Sequence, residues 1–462
     1  MQKKVLMDLS TLQKKYPRFV YESYGWNIEN GDFVADFCFE MGEIKFNPRI
    51  TIRGVDRNRI EKIGEAGVSN LVFNMGLAEI PSYWKATCAP VIEVKAGYLD
   101  KTQIKFWQDL IEKGMGQFFF ENKLPFIRPK FIVGAPKPEK PSIIKNKFSP
   151  RYLVPLGGGK DSLVTLELLR EAKEETTTFV LNPNEPMRRI LEVAGGKNII
   201  IERKIDRKLI ELKDQGYLNG HTPFSSILSF LSVAVAALFD FRYIAISQER
   251  SSDEGNIEYL GQTVNHQYSK SFEFENKFRG YCKKYLAKDV EYFSFLRPLY
   301  EIQIAKLFSR YPKYFSYFMS CNKSYTIAAR EGGTDIGWCG QCPKCLSTFV
   351  MLYPFVGETQ TAKIFGENLF NDKTLLPIMS ELLGEGKCKP FECVATFAEA
   401  RSAFYLSWQQ AASSKPYLLA YFETHILPKY PKISRQTANL LASWNPKNNL
   451  PKPLQNFFRS SS

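Results

Sequence analysis

The 462 residues are too many for one ordinary hydrophobic core and suggest two or three domains. A hydrophobic share of 44% with 14% aromatic residues argues against a disordered chain, and a mean hydropathy of -0.26 argues against an integral membrane protein. The net charge of +14 invites polyanionic partners, but lysine and arginine are spread along the chain rather than gathered in blocks, so a solvated basic surface is an equal reading.

Met1 to Leu12 has neither a continuous apolar core nor a small-residue cleavage site, so no secretory signal is expected and the protein is placed in the cytoplasm. Phe33 to Phe39 alternates apolar with polar or small residues and Ile44 to Ile52 does so loosely, predicting an antiparallel pair joined near Met41 and Gly42. Val68 to Ala78 and Lys101 to Lys113 read as helices. Residues 1–135 are therefore expected to form an α+β domain with no catalytic cluster.

Prolines 136, 138, 141 and 150 alternate with lysines 137, 140, 145 and 147, predicting a stiff, exposed linker over 136–150. Beyond it, Tyr152 to Leu156, Thr178 to Asn182, Asn198 to Glu202 and Tyr243 to Ser247 read as short strands, separated by helices such as Leu163 to Lys173 and Ser225 to Phe239. This alternation predicts an α/β domain over 151–318, a parallel sheet with helices on both faces and ligands at the carboxyl ends of the strands. The longest apolar stretch, Ile227 to Phe241, is interrupted by Ser229 and Ser232. As a helix it reaches roughly 22 Å, short of the roughly 30 Å of a bilayer core, so it reads as a buried helix. A cysteine-rich subdomain over 319–356, a helical region over 357–445 and a flexible tail over 446–462 complete the expected order.

The most informative run is Gly157-Gly158-Gly159-Lys160-Asp161-Ser162, lying between a strand and a helix. Consecutive glycines let backbone amides close on a tetrahedral anion, and the helix that begins there aims its partial positive end at the same point. It is not a Walker loop, because Asp161 rather than a hydroxyl residue follows Lys160. The order instead resembles the PP-loop of ATP pyrophosphatases, with Gly157 where that family usually carries serine. The alternative is a tight turn with no ligand.

Cys321, Cys339, Cys342 and Cys345 form a second constellation. Gaps of two residues let successive thiolates turn onto one ion, and a fourth from a nearby loop closes a tetrahedron, the pattern of a structural zinc site. An iron–sulfur cluster is the alternative. Cys38, Cys88 and Cys282 read as core residues. Only three histidines occur. His221 and His266 sit in the polar runs Asn219 to Phe224 and Asn265 to Glu275, with Gln248 to Asn256 between them at the mouth of the sheet, while His425 reads as structural. So much hydrogen-bonding capacity beside apolar elements is costly unless a polar ligand or internal bonds satisfy it.

In order, Gly157 to Ser162, Asn219 to Phe224, Gln248 to Asn256, Asn265 to Glu275, Phe293 to Glu301, Ser320 to Asn322, Trp338 to Leu346 and Lys389 to Cys393 resemble the MurL-type family of ATP-dependent epimerases acting on UDP-N-acetylmuramoyl-L-alanyl-L-glutamate in peptidoglycan synthesis. The resemblance covers roughly residues 150 to 400, and Gln248 stands where asparagine is expected. It implies ATP and magnesium, an acyl-adenylate, and inversion of the terminal glutamate. Gly157 to Ser162 and Asn182 would meet the nucleotide, Asp161 the magnesium, and Lys160 the leaving group. His221 and His266 are the favoured proton-transfer residues, followed by Glu249 and Cys393. Asn219, Gln248, Asn265, Lys270, Arg297 and Lys306 would hold the substrate, although the cations among them equally suit surface ion pairs. The positive charge and cysteine cluster also fit a PP-loop enzyme that modifies tRNA or a nucleobase by adenylation followed by thiolation or amidation, but the UDP-MurNAc-dipeptide is the preferred partner and nucleic acid is not expected.

Overall fold

A computed structural model describes residues 7–136, 142–325, 337–412 and 414–461. The strands, in chain order, are β1 (Arg18–Glu29), β2 (Asp32–Met41), β3 (Ile44–Phe46), β4 (Arg49–Ile52), β5 (Val91–Val94), β6 (Lys130–Val133), β7 (Tyr152–Pro155), β8 (Thr176–Leu181), β9 (Asn198–Lys204), β10 (Tyr243–Ile246), β11 (Ile257–Tyr259), β12 (Gln262–Val264) and β13 (Glu291–Ser294). Eleven of them form one sheet in the order β13-β10-β7-β8-β9-β4-β2-β1-β5-β6, with β3 pairing on β2, while β11 and β12 make a separate hairpin.

The half built by β13, β10, β7, β8 and β9 is parallel, as the strand and helix alternation predicted. The expected β2–β3 hairpin is present. The sheet as a whole is mixed, because β4 pairs antiparallel with β9, aligning Ile50 with Arg203 and Ile52 with Ile201. The strands of the N-terminal and following regions thus share one hydrogen-bonded ladder. Glu79 reinforces the junction from helix α1 (Glu65–Trp84): its buried carboxylate receives Arg203 Nε at 2.5 Å and Arg203 Nη2 at 2.6 Å. Helix α1 also comes against β1 so closely that a Cβ on Gly76 would lie 2.0 Å from the Tyr21 hydroxyl oxygen, so only glycine fits.

Alternate residues of one strand enter two different cores, as the two-residue period of a strand requires. Leu153 and Ile244 join α1 and the apolar helix α4 (Phe224–Phe239) in one core. Val154 and Ala245 join a second core with helices α3 (Lys160–Glu171), α5 (Glu301–Phe308), α6 (Pro343–Val356) and α7 (Phe397–Gln410). A short helix, α2 (Gly116–Glu121), borders the first core. No helix of the described residues is long and apolar enough to cross a membrane.

Two expectations are corrected. In the 136–150 stretch, residues 137–141 lie outside the described residues, but Ile144 and Phe148 are buried and Ile144 bridges to Ala287 rather than lying exposed. The tail is also ordered into a packed helix, α8 (Lys452–Ser461). Its Leu454 and Phe458, with Leu450 before it, recur every fourth residue and so share one face, which enters the second core with Phe458 4.9 Å from the Phe295 ring.

Candidate active site

A cavity of about 310 Å³ opens at the carboxyl ends of β7, β8 and β10, where an open α/β sheet binds its ligands. Gly157, Gly159, Asp161 and Ser162 form one wall and Gln248, Glu249, Lys270, Glu301, Lys344 and Cys393 contribute to the rest. The first wall is made by the turn from β7 into α3. Gly158 adopts φ +86°, a left-handed conformation open to glycine, and its carbonyl accepts from Met319 N–H at 2.9 Å. Gly159 caps α3 without a side-chain acceptor, so the helix offers its first amides to an anion, and a Cβ on Gly157 would meet nothing within 4 Å. Shape and donors here fit a phosphate group.

Lys160 lies beneath this turn, not in the wall. Its ammonium donates to Asp161 Oδ1 at 2.7 Å and Glu301 Oε1 at 2.9 Å, and both Lys160 and Glu301 side chains are 3% exposed. Burial opposes the charge on Lys160, but the two carboxylates outweigh it and hold the ammonium protonated. Burial likewise works against the Glu301 carboxylate, yet Lys160 and Lys344 pull its pKa down to about 2. Lys160, expected to meet a leaving group, here supports Asp161 from below. Cations in the wall itself are Lys270 and Lys344, the latter 3.6 Å from Glu301.

Glu249 follows β10 and faces the cavity. Burial, with Asp161 next in importance, raises its pKa to about 7, so it exchanges protons near neutrality. Opposite chemistry comes from Cys393, whose sulfur accepts from Lys270 Nζ at 2.9 Å and lies 3.9 Å from His266 Nε2. Burial pushes Lys270 down, but Cys393 and Glu249 outweigh it and raise the ammonium's pKa. Lys344 Nζ donates to the Cys393 carbonyl, and Lys344 N–H to Glu392 Oε2 at 2.8 Å, so the start of α6 holds the Cys393 segment in place.

His221 and His266 are brought together, ring centroids 4.5 Å apart, yet neither is part of the cavity wall. They stand behind Cys393. Burial lowers the pKa of both, His266 to about 4 with Lys270 adding to the effect, and His221 well below the usual imidazole value with His266 adding to it. They are neutral at pH 7.

Several expected substrate contacts are used for construction. Arg297 is wholly buried: its guanidinium donates to the Glu249 carbonyl at 2.8 Å, the Lys270 carbonyl at 2.5 Å and Ser252 Oγ at 3.2 Å. A buried guanidinium needs partners, and this one uses Nη1 and Nη2 to fix the segments that carry Glu249 and Lys270, while Nε lies 3.4 Å from the buried Glu275 carboxylate. Asn182 exchanges hydrogen bonds with the Arg203 backbone, and Asn265 bonds the Ser252 carbonyl and the Gln267 amide. Asn219 lies away from the wall, its carbonyl accepting from Asn122 Nδ2 at 3.2 Å, and Lys306 is exposed on α5. Gln248 does reach the cavity and accepts from Ser294 Oγ at 3.2 Å. His425 is exposed and stacks on Tyr421 at 4.1 Å.

Glu301 and Lys344 are charged wall residues that the sequence reading did not single out. A signal existed for Lys344, which sits between Cys342 and Cys345 and is therefore fixed by whatever fixes them. The sulfur atoms of Cys321, Cys339, Cys342 and Cys345 all lie within 4.8 Å of one another, with separations of 4.0, 3.6 and 3.5 Å among three of the pairs. A tetrahedron with 2.3 Å metal–sulfur bonds has edges of about 3.8 Å, so the four thiols are arranged to hold one metal ion.

Comparison with known proteins points to one family. The MurL N-terminal domain profile matches residues 10–295 and the MurL C-terminal domain profile matches residues 317–436. A UDP-N-acetyl-alpha-D-muramoyl-L-alanyl-L-glutamate epimerase of Micromonospora sp. is 31% identical over 405 residues, spanning 86% of this chain and 88% of that protein. Proteins with the same name from Salinispora tropica and Xanthomonas oryzae pv. oryzae are 31% and 33% identical, over 86% and 78% of this chain and 86% and 79% of their own lengths.

Proposed function

The chain belongs to the MurL epimerase family, and from that premise we propose that it inverts the terminal L-glutamate of UDP-N-acetylmuramoyl-L-alanyl-L-glutamate at the expense of ATP. The observation that supports this reading is the sharing of one cavity by the glycine turn and two ionisable side chains, Glu249 and Cys393.

The α-proton of glutamate is very weakly acidic because the neighbouring carboxylate opposes a carbanion. Attack of that carboxylate oxygen on the α-phosphorus of ATP, with loss of pyrophosphate, gives an acyl-adenylate and removes the opposing charge. Each pKa unit gained at the α-carbon is worth about 1.4 kcal/mol. Gly157, Gly159 and Ser162 receive the phosphates at the start of α3, as in the PP-loop enzymes the motif resembles, and Lys344 supplies a cation beside them. Asp161, held from below by Lys160, would hold magnesium, which would offset the negative charge of the phosphates.

With the carboxylate masked, one of Glu249 and Cys393 removes the α-proton and the other returns a proton from the opposite face. Lys270, which touches Cys393 and faces Glu249, balances the charge left on whichever has given its proton away. Water then attacks the acyl carbon, AMP leaves, and the D-glutamyl product is free. The tetracysteine site suits zinc, which would fix Lys344 and the Cys393 segment and supply no reaction step.

Chiral analysis of glutamate recovered after incubation of UDP-N-acetylmuramoyl-L-alanyl-L-glutamate with ATP and magnesium tests the reading. D-Glutamate accompanied by AMP and pyrophosphate is expected. Inversion that proceeds equally without a triphosphate, or formation of ADP, overturns it.

A further inference from the structure

Helix α2 reaches the histidine pair from the N-terminal region, where the sequence suggested no chemistry. Gln117 on that helix places Oε1 2.5 Å from His266 Nδ1. Its amide orientation is set by Glu121, one turn on, whose Oε1 accepts from Gln117 Nε2 at 2.7 Å. A carboxylate only accepts at neutral pH, so Gln117 must turn its NH2 to Glu121 and its carbonyl to the imidazole. A carbonyl also only accepts. The ring nitrogen facing it must therefore carry the hydrogen, which leaves Nε2 as a lone pair, and it is Nε2 that faces the Cys393 sulfur at 3.9 Å. The geometry thus supplies a donor–acceptor chain with a single direction.

From this we infer that Gln117 and Glu121 are positioning residues that hold His266 as its Nδ1–H tautomer, so that Nε2 accepts the hydrogen of the Cys393 thiol. The inference rests on the proposed role of Cys393 in proton exchange. In the thiol form the S–H is directed at Nε2, and Lys270 donates to the same sulfur from another side. When Cys393 gives this proton to the α-carbon, the S–H bond breaks, a C–H bond forms, and the resulting thiolate keeps the Lys270 ammonium as its partner. The imidazole remains neutral throughout. With the tautomer reversed, an Nε2–H would donate to the sulfur, favour the thiolate and leave Cys393 without a proton to give.

Three histidines make the tautomer directly readable from long-range 15N–1H spectra of protein labelled with 15N-histidine, with His266→Asn providing the assignment. His266 is expected with a protonated Nδ1 and an unprotonated Nε2. Gln117→Leu removes the acceptor, and exposed Glu121→Lys leaves the fold intact while turning the Gln117 carbonyl toward the lysine. Both should move His266 to the Nε2–H form and speed alkylation of Cys393 by iodoacetamide about five-fold or more, since a new donor favours the thiolate. Epimerisation should lose kcat with KM little changed. An Nε2–H signature in the unaltered protein, or a tautomer unmoved in both variants, overturns the inference. The spectra and the alkylation need no turnover, so a protein that failed to epimerise would sink the proposed function while leaving this test intact.

Discussion

Glu301 accepts a hydrogen bond from Lys160 at 2.9 Å with both side chains almost completely buried, which makes this pair the foundation of the glycine turn. Lys344 approaches the same carboxylate at 3.6 Å, so one anion serves two buried cations.

Replacement of Glu301 by glutamine should therefore cost about 3 kcal/mol, the lower end for breaking a buried pair because Asp161 still partners Lys160. Denaturant unfolding measures it. The carboxyl has an ordinary value of 4.5 that folding depresses to about 2, so its contribution is complete above pH 4.5 and disappears as pH falls toward 2. The variant's acid unfolding should lack this component.

Glu249 should titrate near pH 7 in protein free of divalent ions, because burial and then Asp161 raise its carboxyl. Magnesium at Asp161 would reverse that second influence and draw the titration to lower pH. The 13Cδ shift of Glu249, assigned with Glu249→Gln, follows both. A midpoint near 4.5 without metal, or one that magnesium raises, contradicts the arrangement.

If Glu249 and Cys393 exchange protons on opposite faces, Glu249→Gln and Cys393→Ala each lose inversion by about a thousandfold or more, the upper part of the range for acid–base groups. In deuterated water each single variant should still exchange the α-hydrogen of one glutamate epimer through the surviving base. Mass spectrometry of the recovered substrate distinguishes this from complete inactivity.

One equivalent of zinc per chain is expected by elemental analysis. Since apparent zinc binding in such sites reaches about 10–16 kcal/mol, against a usual net stability of about 5–15 kcal/mol, chelation at neutral pH should lower Tm steeply. Cys345→Ser should do the same, because this sulfur is fully buried and close to both Cys339 and Cys342.

Phe458→Ala should destabilise the protein by about 3 kcal/mol, as its ring is buried beside Phe295. A loss below about 0.5 kcal/mol in chemical denaturation, the size of a surface substitution, would show that the terminal helix does not belong to the core.

What the sequence disclosed, and what it concealed, follows the range of the interactions involved. The glycine turn, the cysteine spacing and the four strands Tyr152 to Ser247 are local patterns, and each appears where it was expected. The twelve-residue strand β1 escaped notice because its outer half alternates only between partly exposed and exposed positions, giving weak hydrophobic contrast. Pairing of Ile50 with Arg203 depends on two segments far apart in the chain, and no local period encodes it. Arg297 and Lys306 looked alike as candidate anion clamps, but burial separates them, one becoming a strut and the other a surface cation. Gln117 carries no motif at all. On a short helix it reads as an ordinary polar residue, and its importance arises only from its contact with His266, which is 149 residues away in the chain.

The β4–β9 ladder has a practical corollary for anyone dissecting the molecule. A polypeptide severed between Val133 and Tyr152 would leave each piece with a raw row of amides and carbonyls, on β4 in one and on β9 in the other. Expressed singly, such pieces should precipitate. Expressed together, they carry matching edges and the same buried Glu79–Arg203 clasp, and so should reassemble into a working split protein.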